Sequence, residues 1–583
     1  MPTPAGNPRS ETASLWVKVN GTELSADELG QILDVALEQD LVLPDSFAIR
    51  IRDILVQSNQ QQKNFPMLDG DRFPIGADIQ VGMGHEQAAQ PVLKGQVTSL
   101  ELDARGDGNP VLVVRGYDAA YRLHRQRKSR TFTNLTATDI ATQVAREYGL
   151  SPNTDRTNER HAHLYQHNQT DWELLRMLAT RVGFDLFVDM DKRELVFRRP
   201  GANSAAPEQE FGANLHRVHL RMSGPAQIDS VVVKGWDPDS KREIEGRARE
   251  PSGRAQVGGD RPRKGVASKL GGATFVVADQ PVRSIAEADL LAQATFDDIA
   301  GGYIQLEGEC DGHNGIRPGR SLRFKNLGER FDHEYYLSAA SHKLSAGGYT
   351  SRFVVSGRRP TTLTALLGGG GSHPTGSRGG TGGGRLTGVF VGVVTNNKDE
   401  QYGRVKVKLP WLGNEESHWA RLATPMTGGG RGFFFLPEVG DEVLLAFEHG
   451  DVNFPYVVGC LWNGQDKPPE NAPSVVGPTG KVNKRIIKSR LGHTITLDDS
   501  DDKPSITVVD KTGKNAIKLD STSNKLTIEV DGDISLDAKG SISLNAQRDI
   551  SVSGHGQVSV QGNRMTLDGG PSVSVKGSSV ALN

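Results

Sequence analysis

The chain has 583 residues, a formal net charge of -2 at pH 7 and a pI of about 6.8. This balance excludes a globally basic nucleic-acid binder, and two distant cysteines, Cys310 and Cys460, exclude a disulfide framework or a zinc ribbon. No apolar run approaches the roughly 18 residues of a membrane span, and the first residues lack the pattern of a signal peptide, so we expect synthesis and folding in the cytoplasm.

The first part of the chain predicts a small barrel. Residues 1–13 are expected to form a flexible arm. Over residues 14–130, runs such as LWVKVNG, DSFAIRIRD and PVLVVRGYD alternate apolar and polar residues. Such alternation is typical of half-buried strands separated by turns, so we expect a first barrel-like domain here.

An α/β segment is predicted for residues 131–214. Thr136 with Asp139, and Thr170 with Glu173, have the spacing of capping boxes at the start of two apolar-periodic stretches. These two stretches are therefore predicted helices, and the hairpin from FDLFVD to ELVFRR follows the second one.

A second barrel-like domain is predicted for residues 215–365. Its strands include SVVVKGWD, YIQLEGEC and YTSRFVVSG, and a third helix is expected to begin at Ser284, with Glu287 three residues later. Two barrel-like halves would then flank the α/β segment.

The composition changes after the second barrel. Residues 366–385 are rich in glycine and predict a flexible linker; these glycines follow no strand and open no helix, so they do not fit a phosphate-binding loop. Residues 386–466 contain five strand-like runs with glycine at the bends, which fits an OB-fold barrel. A connector over residues 467–490 and a spike over residues 491–583 complete the predicted domains.

The end of the chain repeats a pair of apolar residues every eight positions. A serine separates the two members of each pair and glycine recurs at the corners, which is the signature of a β-helix or prism. The predicted packing residues of the spike core are Ile534, Leu536, Ile542, Leu544, Ile550, Val552, Val558 and Val560.

One eight-residue repeat, here called an octad, gains too little from burial of its own side chains to fold alone. Burying its two aliphatic side chains contributes roughly 1.5–3 kcal/mol each, whereas ordering the octad costs about 12 kcal/mol. Three chains wound around one axis would pack every pair against two copies of itself and leave no open sheet edge. We therefore predict an intertwined trimer, with an ordinary single-chain β-solenoid as the alternative.

Three independent parts of the chain resemble one protein family. The stretch from GVVTNNKDEQYGRVKVKLPWL to FPYVVGCLWNG is similar to the OB domain of phage baseplate spikes and of VgrG proteins of type VI secretion systems. VRGYDAAYRLHR, TDWELLRMLATRVGFDLFV and HKLSAGGYTSRFVV resemble the phage late-control D hub family, and GHTITLDD with the octads is similar to the β-helix of the spike. The opening stretches are nearer to extracellular, phage-tail-like injection particles than to type VI spikes.

This resemblance implies a mainly β fold with a hub of two β-barrel-like domains, an inserted α/β piece, an OB-fold barrel and a C-terminal trimeric intertwined β-helix. It implies a structural homotrimer, with no enzyme activity and no cofactor, that joins a hexameric inner tube protein to a membrane-puncturing needle. Further implied partners are other baseplate subunits, a PAAR-type tip cap protein and the target cell envelope, but no nucleic acid. The alternative is an OB/β-solenoid protein that binds cell-surface glycans.

The tip of the predicted needle is apolar. No His-x-His motif occurs after Val558 that could close the tip with a metal ion. We therefore expect the cap protein to contact Val580, Leu582 and Asn583.

Two polar clusters have spacing that would suit a metal ion, although a simpler interpretation is available for each. Three histidines precede the second helix on what could equally be a polar strand edge: His161, His163 and His167. Four carboxylates could bind calcium or form a solvated turn between needle strands: Asp498, Asp499, Asp501 and Asp502. We predict no metal site at either.

Two further charged segments are candidates for a functional site. Glu438, Asp441 and Glu442 could act as catalytic carboxylates, but the pattern PEVGDEVLLAF predicts a turn into a strand. The basic run from Tyr121 to Arg130 could touch nucleic acid, and we expect it to face solvent or another baseplate subunit instead. No catalytic residue is therefore predicted.

Overall fold

The computed structural model describes residues 13–53, 56–57, 63–85, 89–104, 110–201, 206–252, 265–356, 386–410 and 415–581. The glycine-rich linker and, except for Ala13, the N-terminal arm lie outside these ranges. The chain divides into two compact units, Met1–Asn463 and Gly464–Asn583. Among the residues just given, no helix is long and apolar enough to cross a membrane.

The first predicted barrel consists mainly of antiparallel strands. Its strands are β1 (Ala13–Val19), β2 (Thr22–Glu23), β3 (Ile32–Asp40), β4 (Ser46–Arg52), β5 (Val56–Gln57), β6 (Lys63–Asn64), β7 (Asp78–His85), β8 (Gln90–Asp103) and β9 (Val111–Tyr117). Two single-turn helices, α1 (Ala26–Leu29) and α2 (Pro66–Asp69), lie between them. Alternate residues of these strands, such as Val35, Leu37, Ile49 and Ile51, are buried in one core, as the period of two requires.

The α/β segment has its own core, which already includes Ala120 and Leu123, so in the structure the segment begins before the predicted boundary at residue 131. Its elements are α3 (Tyr121–Arg125), β10 (Arg127–Thr136), α4 (Ala137–Glu147), β11 (Ser151–Thr154), β12 (Arg160–Thr170), α5 (Asp171–Val182), β13 (Asp185–Asp189) and β14 (Glu194–Arg198). Both predicted capping boxes are present: Thr136 and Thr170 accept the N3 backbone N–H, and Asp139 and Glu173 accept from the cap N–H in return. The buried faces of α4 and α5 pack against β13 and β14, so local sequence signals positioned both helices correctly.

The second predicted barrel contains more than one sheet. Its elements are β15 (Glu208–Glu210), β16 (Leu215–Met222), β17 (Ser230–Asp237), β18 (Arg242–Ala248), α6 (Val266–Lys269), β19 (Thr274–Val277), α7 (Ile285–Gly301), β20 (Ile304–Asp311), β21 (Ser321–Lys325), β22 (Glu334–Tyr336), β23 (Ala339–Ser345) and β24 (Gly348–Val355). Helix α7 begins at its predicted cap, Ser284, which accepts the Glu287 N–H. The helix packs on the β18-β17-β19 sheet, and a Cβ at Gly246 would lie 2.3 Å from the Ala288 carbonyl carbon. Glycine at this position therefore permits the close approach of helix and sheet.

The two predicted barrels share one sheet. Its eleven strands run in the order β16-β20-β24-β23-β3-β4-β9-β8-β7-β1-β2. Strands β3 and β23 join the halves in antiparallel register, with Leu37 opposite His342. The sequence predicted the strands of both halves, whereas this pairing between residues some 300 positions apart is a finding of the structure.

The predicted OB region forms a five-stranded sheet. Its strands are β25 (Phe390–Asn396), β26 (Lys406–Lys408), β27 (Arg421–Leu422), β28 (Thr427–Gly428), β29 (Arg431–Gly432), β30 (Glu442–Phe447) and β31 (Pro455–Cys460). The sheet order is β26-β25-β30-β31-β27, and β28 and β29 form a separate hairpin. The core contains Val394, Val407, Val443 and Leu445.

The unit Gly464–Asn583 begins with a single antiparallel meander. After the short helix α8 (Ala472–Val475), the strands are β32 (Lys484–Lys488), β33 (Thr494–Asp498), β34 (Ser505–Val509), β35 (Ala516–Asp520) and β36 (Lys525–Glu529), paired in that order. Strand β32 lies in the stretch predicted as a connector. Residues 530–581, all of them described, contain no strand paired within this one chain.

Candidate functional site

The meander of the C-terminal unit presents an apolar face that remains exposed among the described residues. Its strands alternate apolar and polar residues, and the antiparallel register aligns the apolar ones across the sheet, for example Leu497 opposite Ile506. These side chains, 41–60% exposed, are Ile495, Leu497, Ile506, Val508, Ile517, Leu519, Leu526 and Ile528. We call this set the meander face.

The octad pairs continue the same pattern. The first members, Ile534, Ile542, Ile550 and Val558, are 55–58% exposed, and the second members, Leu536, Leu544, Val552 and Val560, are 71–76% exposed. Each of these side chains would contribute roughly 1.5–3 kcal/mol if it were buried. A regular array of exposed aliphatic side chains on this scale marks an interaction surface.

The carboxylates at the first turns of this unit have protein partners. Asp498 accepts hydrogen bonds from the Ser500 N–H at 3.0 Å and its hydroxyl at 2.6 Å, which lowers the pKa of this carboxyl. Asp499 forms an ion pair with Arg485. These contacts are those of a turn, and among the described residues there is no cluster of three side chains suited to a metal ion.

The predicted histidine cluster lies where β12 meets the OB domain. His163 Nε2 is 3.0 Å from the Glu416 carbonyl oxygen, and its ring contacts that of His418 with centroids 5.7 Å apart. Burial lowers the pKa of His161, His163 and His167, and that of His418 to about 4. Neutral imidazoles at a domain contact explain this cluster without a metal ion.

Sequence patterns gave no indication of the closest contact in this region. Tyr165 of β12 belongs to the buried core of the OB domain, and its backbone N–H donates to Asn453 Oδ1 at 2.7 Å. The Arg283 guanidinium donates to the Asn453 carbonyl oxygen at 3.0 Å and lies 4.5 Å from the Phe454 ring centroid. These residues attach the α/β segment and α7 to the OB domain; we call this contact the hub–OB contact.

The basic run from Tyr121 to Arg130 exposes Arg122, Arg125 and Arg127, whereas Lys128 and Arg130 are only partly exposed. Lys128 and Arg130 both form ion pairs with Asp171, at 2.6 and 2.7 Å, and with Glu147. The Asp171 side chain is 0% exposed, and its hydrogen bonds, of which that from Lys128 is the strongest, lower the pKa of this carboxyl despite burial. Lys128 and Arg130 thus pair with acidic partners from α4 and α5, while a contact of the exposed part of the run with another subunit stays a prediction.

The candidate catalytic carboxylates form a turn. The Asp441 carboxylate accepts the Glu438 N–H at 2.8 Å, and Glu442 begins β30 and accepts from Asn463 Nδ2 at 3.1 Å. At the other end of the chain, Val580 is 50% exposed. The other two predicted cap contacts, Leu582 and Asn583, lie outside the described residues.

Comparison with known families decides where the chain belongs. Residues 9–346, more than half of the chain, match the family described as Alg8 N-terminal domain. The chain belongs to this family. In this Alg8-family chain, residues 390–462 also match the family described as type VI secretion system/phage-baseplate injector OB domain, and that match covers β25 to β31.

Curated relatives agree with the second match. The type VI secretion system spike proteins VgrG1b and VgrG1a of Pseudomonas aeruginosa are each 23% identical to the Alg8-family chain, over 457 and 469 residues. These alignments cover 70% and 72% of this chain but 56% and 66% of the relatives, so the chain spans a little over half of their length. The actin cross-linking toxin VgrG1 of Vibrio cholerae is 34% identical over 79 residues, which are 13% of this chain and 7% of the toxin.

Solved structures give partial superpositions. The E. coli c3393 protein, a type VI secretion component described as similar to the T4 tail proteins gp27 and gp5, matches with a TM-score of 0.47 and 14% identity over 76% of this chain and 99% of its own. A VgrG complex from Francisella matches with a TM-score of 0.49 and 9% identity over 90% and 81%. The predicted resemblance to VgrG and baseplate hub–spike proteins is confirmed by the OB-domain match and the curated relatives.

Proposed function

We propose that this Alg8-family chain is the structural hub–spike subunit at the tip of a contractile injection machine and that it acts as a homotrimer. The observation that carries the proposal is the continuous apolar surface of the C-terminal unit. The meander face and the octad pairs have aliphatic side chains at a strict period but little to bury them within one chain.

Three copies would satisfy this surface in a way that one copy cannot. Each octad pair would contact the same pair of two other chains, and the unpaired backbone of the octads would form strands between chains. The absence of aromatic residues from Lys467 to Asn583 fits this arrangement, since identical aliphatic layers around an axis leave little room for larger rings. The resulting needle would have a dry core and a serine-rich, hydrated exterior.

The first unit suits the opposite end of such a machine. One eleven-stranded sheet holds two half-barrels in a single rigid chain, so a trimer would present six similar halves to a hexameric inner tube protein. Baseplate subunits, a PAAR-type cap and the target envelope are the other expected partners. In this proposal the protein has no enzyme activity and works as a mechanical part of a tail-like particle assembled in the cytoplasm and delivered to the target membrane.

The native mass of the purified full-length protein tests the proposal. We expect the mass of three chains at every workable concentration, together with protease resistance of residues 491–583. A stable monomer whose C-terminal unit resists protease would contradict the proposal and would favour the single-chain solenoid.

One observation favours the second candidate, a glycan-binding protein. Phe433, Phe434 and Phe435 follow the β28–β29 hairpin and are 48%, 76% and 64% exposed, and exposed rings could stack on sugars. Binding to a glycan array that Phe434→Ala abolishes, in a protein of monomeric mass, would support this candidate. Absence of array binding by a trimer would exclude it.

A further inference from the structure

A cavity of about 370 Å³ lies within the first unit, lined by residues from the first half of the shared sheet, from the loop before β21 and from the α/β segment. Its lining includes Gln39 near the end of β3, Asp45 in the β3–β4 turn, Asp118 after β9, Trp172 of α5 and Phe187 of β13. This volume falls in the range of pockets that hold small ligands. Neither the spike role nor the needle involves this cavity.

Two carboxyl groups stand side by side in the cavity. The Asp118 N–H donates to the Asp45 carbonyl oxygen at 2.9 Å, which holds the two residues together, and Asp118 is 2% exposed. Desolvation raises the pKa of Asp45 to about 7. It also raises the pKa of Asp118 well above its usual value, and the neighbouring charge of Asp45 adds to that shift. Two neighbouring carboxyl groups in such a site are costly to ionise without a cation.

Among the described residues, no cation forms an ion pair with Asp45 or Asp118, although the charge of Arg317 acts on Asp45 from a distance. Asp45 accepts hydrogen bonds from Gln39 Nε2 at 2.6 Å and from the Asp40 N–H. Asp118 accepts from the Ala120 N–H at 3.1 Å and from the Asp45 N–H. Arg317 also lines the cavity, but its guanidinium is bound to Asp191 and to the carbonyl oxygens of Asn314 and Pro91. The carboxyl groups therefore lack a charged donor.

Gln39 adds an independent sign of a missing ligand. Its side chain is 5% exposed, its Nε2 donates to Asp45, and its Oε1 is buried without any donor among the residues that the structure describes. A buried acceptor without a partner costs about 1–3 kcal/mol. The cavity thus offers the acceptors of three side chains, Gln39, Asp45 and Asp118, to a ligand that carries a hydrogen-bond donor.

The rest of the lining limits the charge of that ligand. Lys94 and Arg320 line the same cavity. Neither side chain has a hydrogen bond or ion pair within the described part of the chain, although the charges of Asp189 and Asp191 act on Arg320. When Asp45 and Asp118 are ionised, the five lining carboxylates equal the five lining cations in number, and a positive group of a ligand beside these two carboxyls favours that ionised state. A ligand without net charge preserves this balance.

We propose that the cavity binds a small zwitterion of the amino-acid type. Its ammonium group donates to Gln39 Oε1 and to the carboxylates of Asp45 and Asp118, since an ammonium has three donors and no acceptor. Its carboxylate pairs with Lys94 and Arg320. Its carbon chain lies along Trp172 and Phe187; the Trp172 indole N–H is already bound to the Val42 carbonyl oxygen at 3.1 Å, so Trp172 offers only apolar contact. A metal ion fits less well, because the described residues hold no cluster of three metal-ligating side chains.

Calorimetric titration of the full-length protein with L-leucine tests the proposal, with n-butylamine and butyrate as half-ligands. We expect saturable binding of L-leucine and at least tenfold weaker binding of both half-ligands. Asp118→Asn and Lys94→Gln should each weaken L-leucine binding at least tenfold, and Asp71→Asn, the same chemical change outside the cavity lining, should leave it unchanged. Each variant is compared with the unsubstituted protein by thermal unfolding and native mass, so that a loss of binding is not a loss of fold.

Four outcomes would overturn the proposal, and the first three concern L-leucine. They are no saturable binding of L-leucine, equal affinity of n-butylamine and L-leucine, and full affinity in a folded Asp118→Asn protein. Calcium binding that Asp118→Asn removes, without L-leucine binding, would also overturn it in favour of a cation site. The native mass is measured separately, so failure here leaves the proposed spike function unaffected.

Discussion

The two units of this chain bury their apolar residues in different ways. In Met1–Asn463, alternating strands close on cores that contain fully buried Phe197, Phe353 and Tyr335. In Gly464–Asn583, the same alternation leaves every described residue at least partly exposed. The comparison shows that strand periodicity defines an apolar face but does not say whether that face meets the same chain or another copy.

Side-chain size explains much of the difference. The cores of the first unit use aromatic rings, for example Phe184 and Phe197 with centroids 5.3 Å apart, and such side chains can fill the space between two layers of one chain. From Lys467 onward the chain has no Phe, Tyr or Trp. The second unit thus lacks the residues that would let it close a core by itself.

The largest expected effect is the loss of the trimer after a substitution in one octad of the second unit. Leu536→Asp would place three like charges at one level of the proposed needle, at a cost of several kcal/mol each, and should abolish the trimer. Ser535→Asp is the matched control, because the alternation assigns Ser535 to the opposite face, where it should tolerate the charge. Analytical ultracentrifugation measures both. Equal trimer yields of the two variants would show that the assigned faces are wrong.

A core substitution should separate the two units. Phe197→Ala removes a ring that is 0% exposed in the core of the α/β segment, and we expect a loss of about 3–5 kcal/mol in the free energy of unfolding of the first unit. Calorimetry of the full-length protein would record a lower first-unit transition at unchanged native mass. A Phe197→Ala protein that loses the trimer but keeps the first-unit transition unchanged would contradict the division of roles.

The buried carboxylate of the α/β segment should come next. Asp171→Asn removes the charge that Lys128 and Arg130 share, and we expect a loss of about 2–3 kcal/mol. Denaturant unfolding measures it, with Glu173→Gln, which changes a partly exposed carboxylate two residues away, as a milder control. Equal stability of Asp171→Asn and the unsubstituted protein would mean that the ion pairs contribute nothing net.

Acidification should weaken the hub–OB contact. The pKa of His418 is about 4 in the folded chain, below the ordinary value near 6.5, so the unfolded state binds more protons between these values. The stabilising contribution is complete above pH 6.5 and is lost as the pH falls toward 4. Thermal unfolding at pH 7 and pH 5 should show a smaller drop for His418→Gln than for the unsubstituted protein. The comparison with His418→Gln is needed because the raised pKa of Asp45 stabilises the folded state at acid pH and so opposes the effect of His418. Identical drops would exclude this role of His418.

The smallest expected effect concerns a helix cap. Thr170→Ala removes the side-chain acceptor of the Glu173 N–H at 3.1 Å, which should cost about 1 kcal/mol. Thr170→Ser keeps the acceptor and is the matched control. Thermal unfolding should therefore rank Thr170→Ala below Thr170→Ser, and the reverse order would count against the cap.

The sequence by itself determined the features that depend on near neighbours. Helix caps join residues three positions apart, so the capping boxes of Thr136 and Thr170 and the single cap bond of Ser284 indicated the starts of α4, α5 and α7 correctly. The period of two in HTITLDD or NAIKLDS indicated β33 and β35 and also the face that each presents. The octads also depend on near neighbours, because the spacing of their apolar residues by itself predicts an apolar face. How their strands pair between chains stays a prediction.

Only the tertiary structure decided what each of these faces and charges meets. Lys128 reaches Asp171 across 43 positions, Tyr165 enters the OB core across 288 from Asn453, and Leu37 lies opposite His342 in the shared sheet. No local pattern specifies such partners, because any acidic side chain or open strand edge of suitable shape would satisfy the same residue. The cavity with Gln39, Asp45 and Asp118 arises in the same way. Segments that are distant in sequence must fold together before the Gln39 side-chain oxygen is buried without a donor. Hydrogen bonds between near neighbours determine where helices and strands form. Burial and charge pairing between distant segments determine where the contacts and the cavity form.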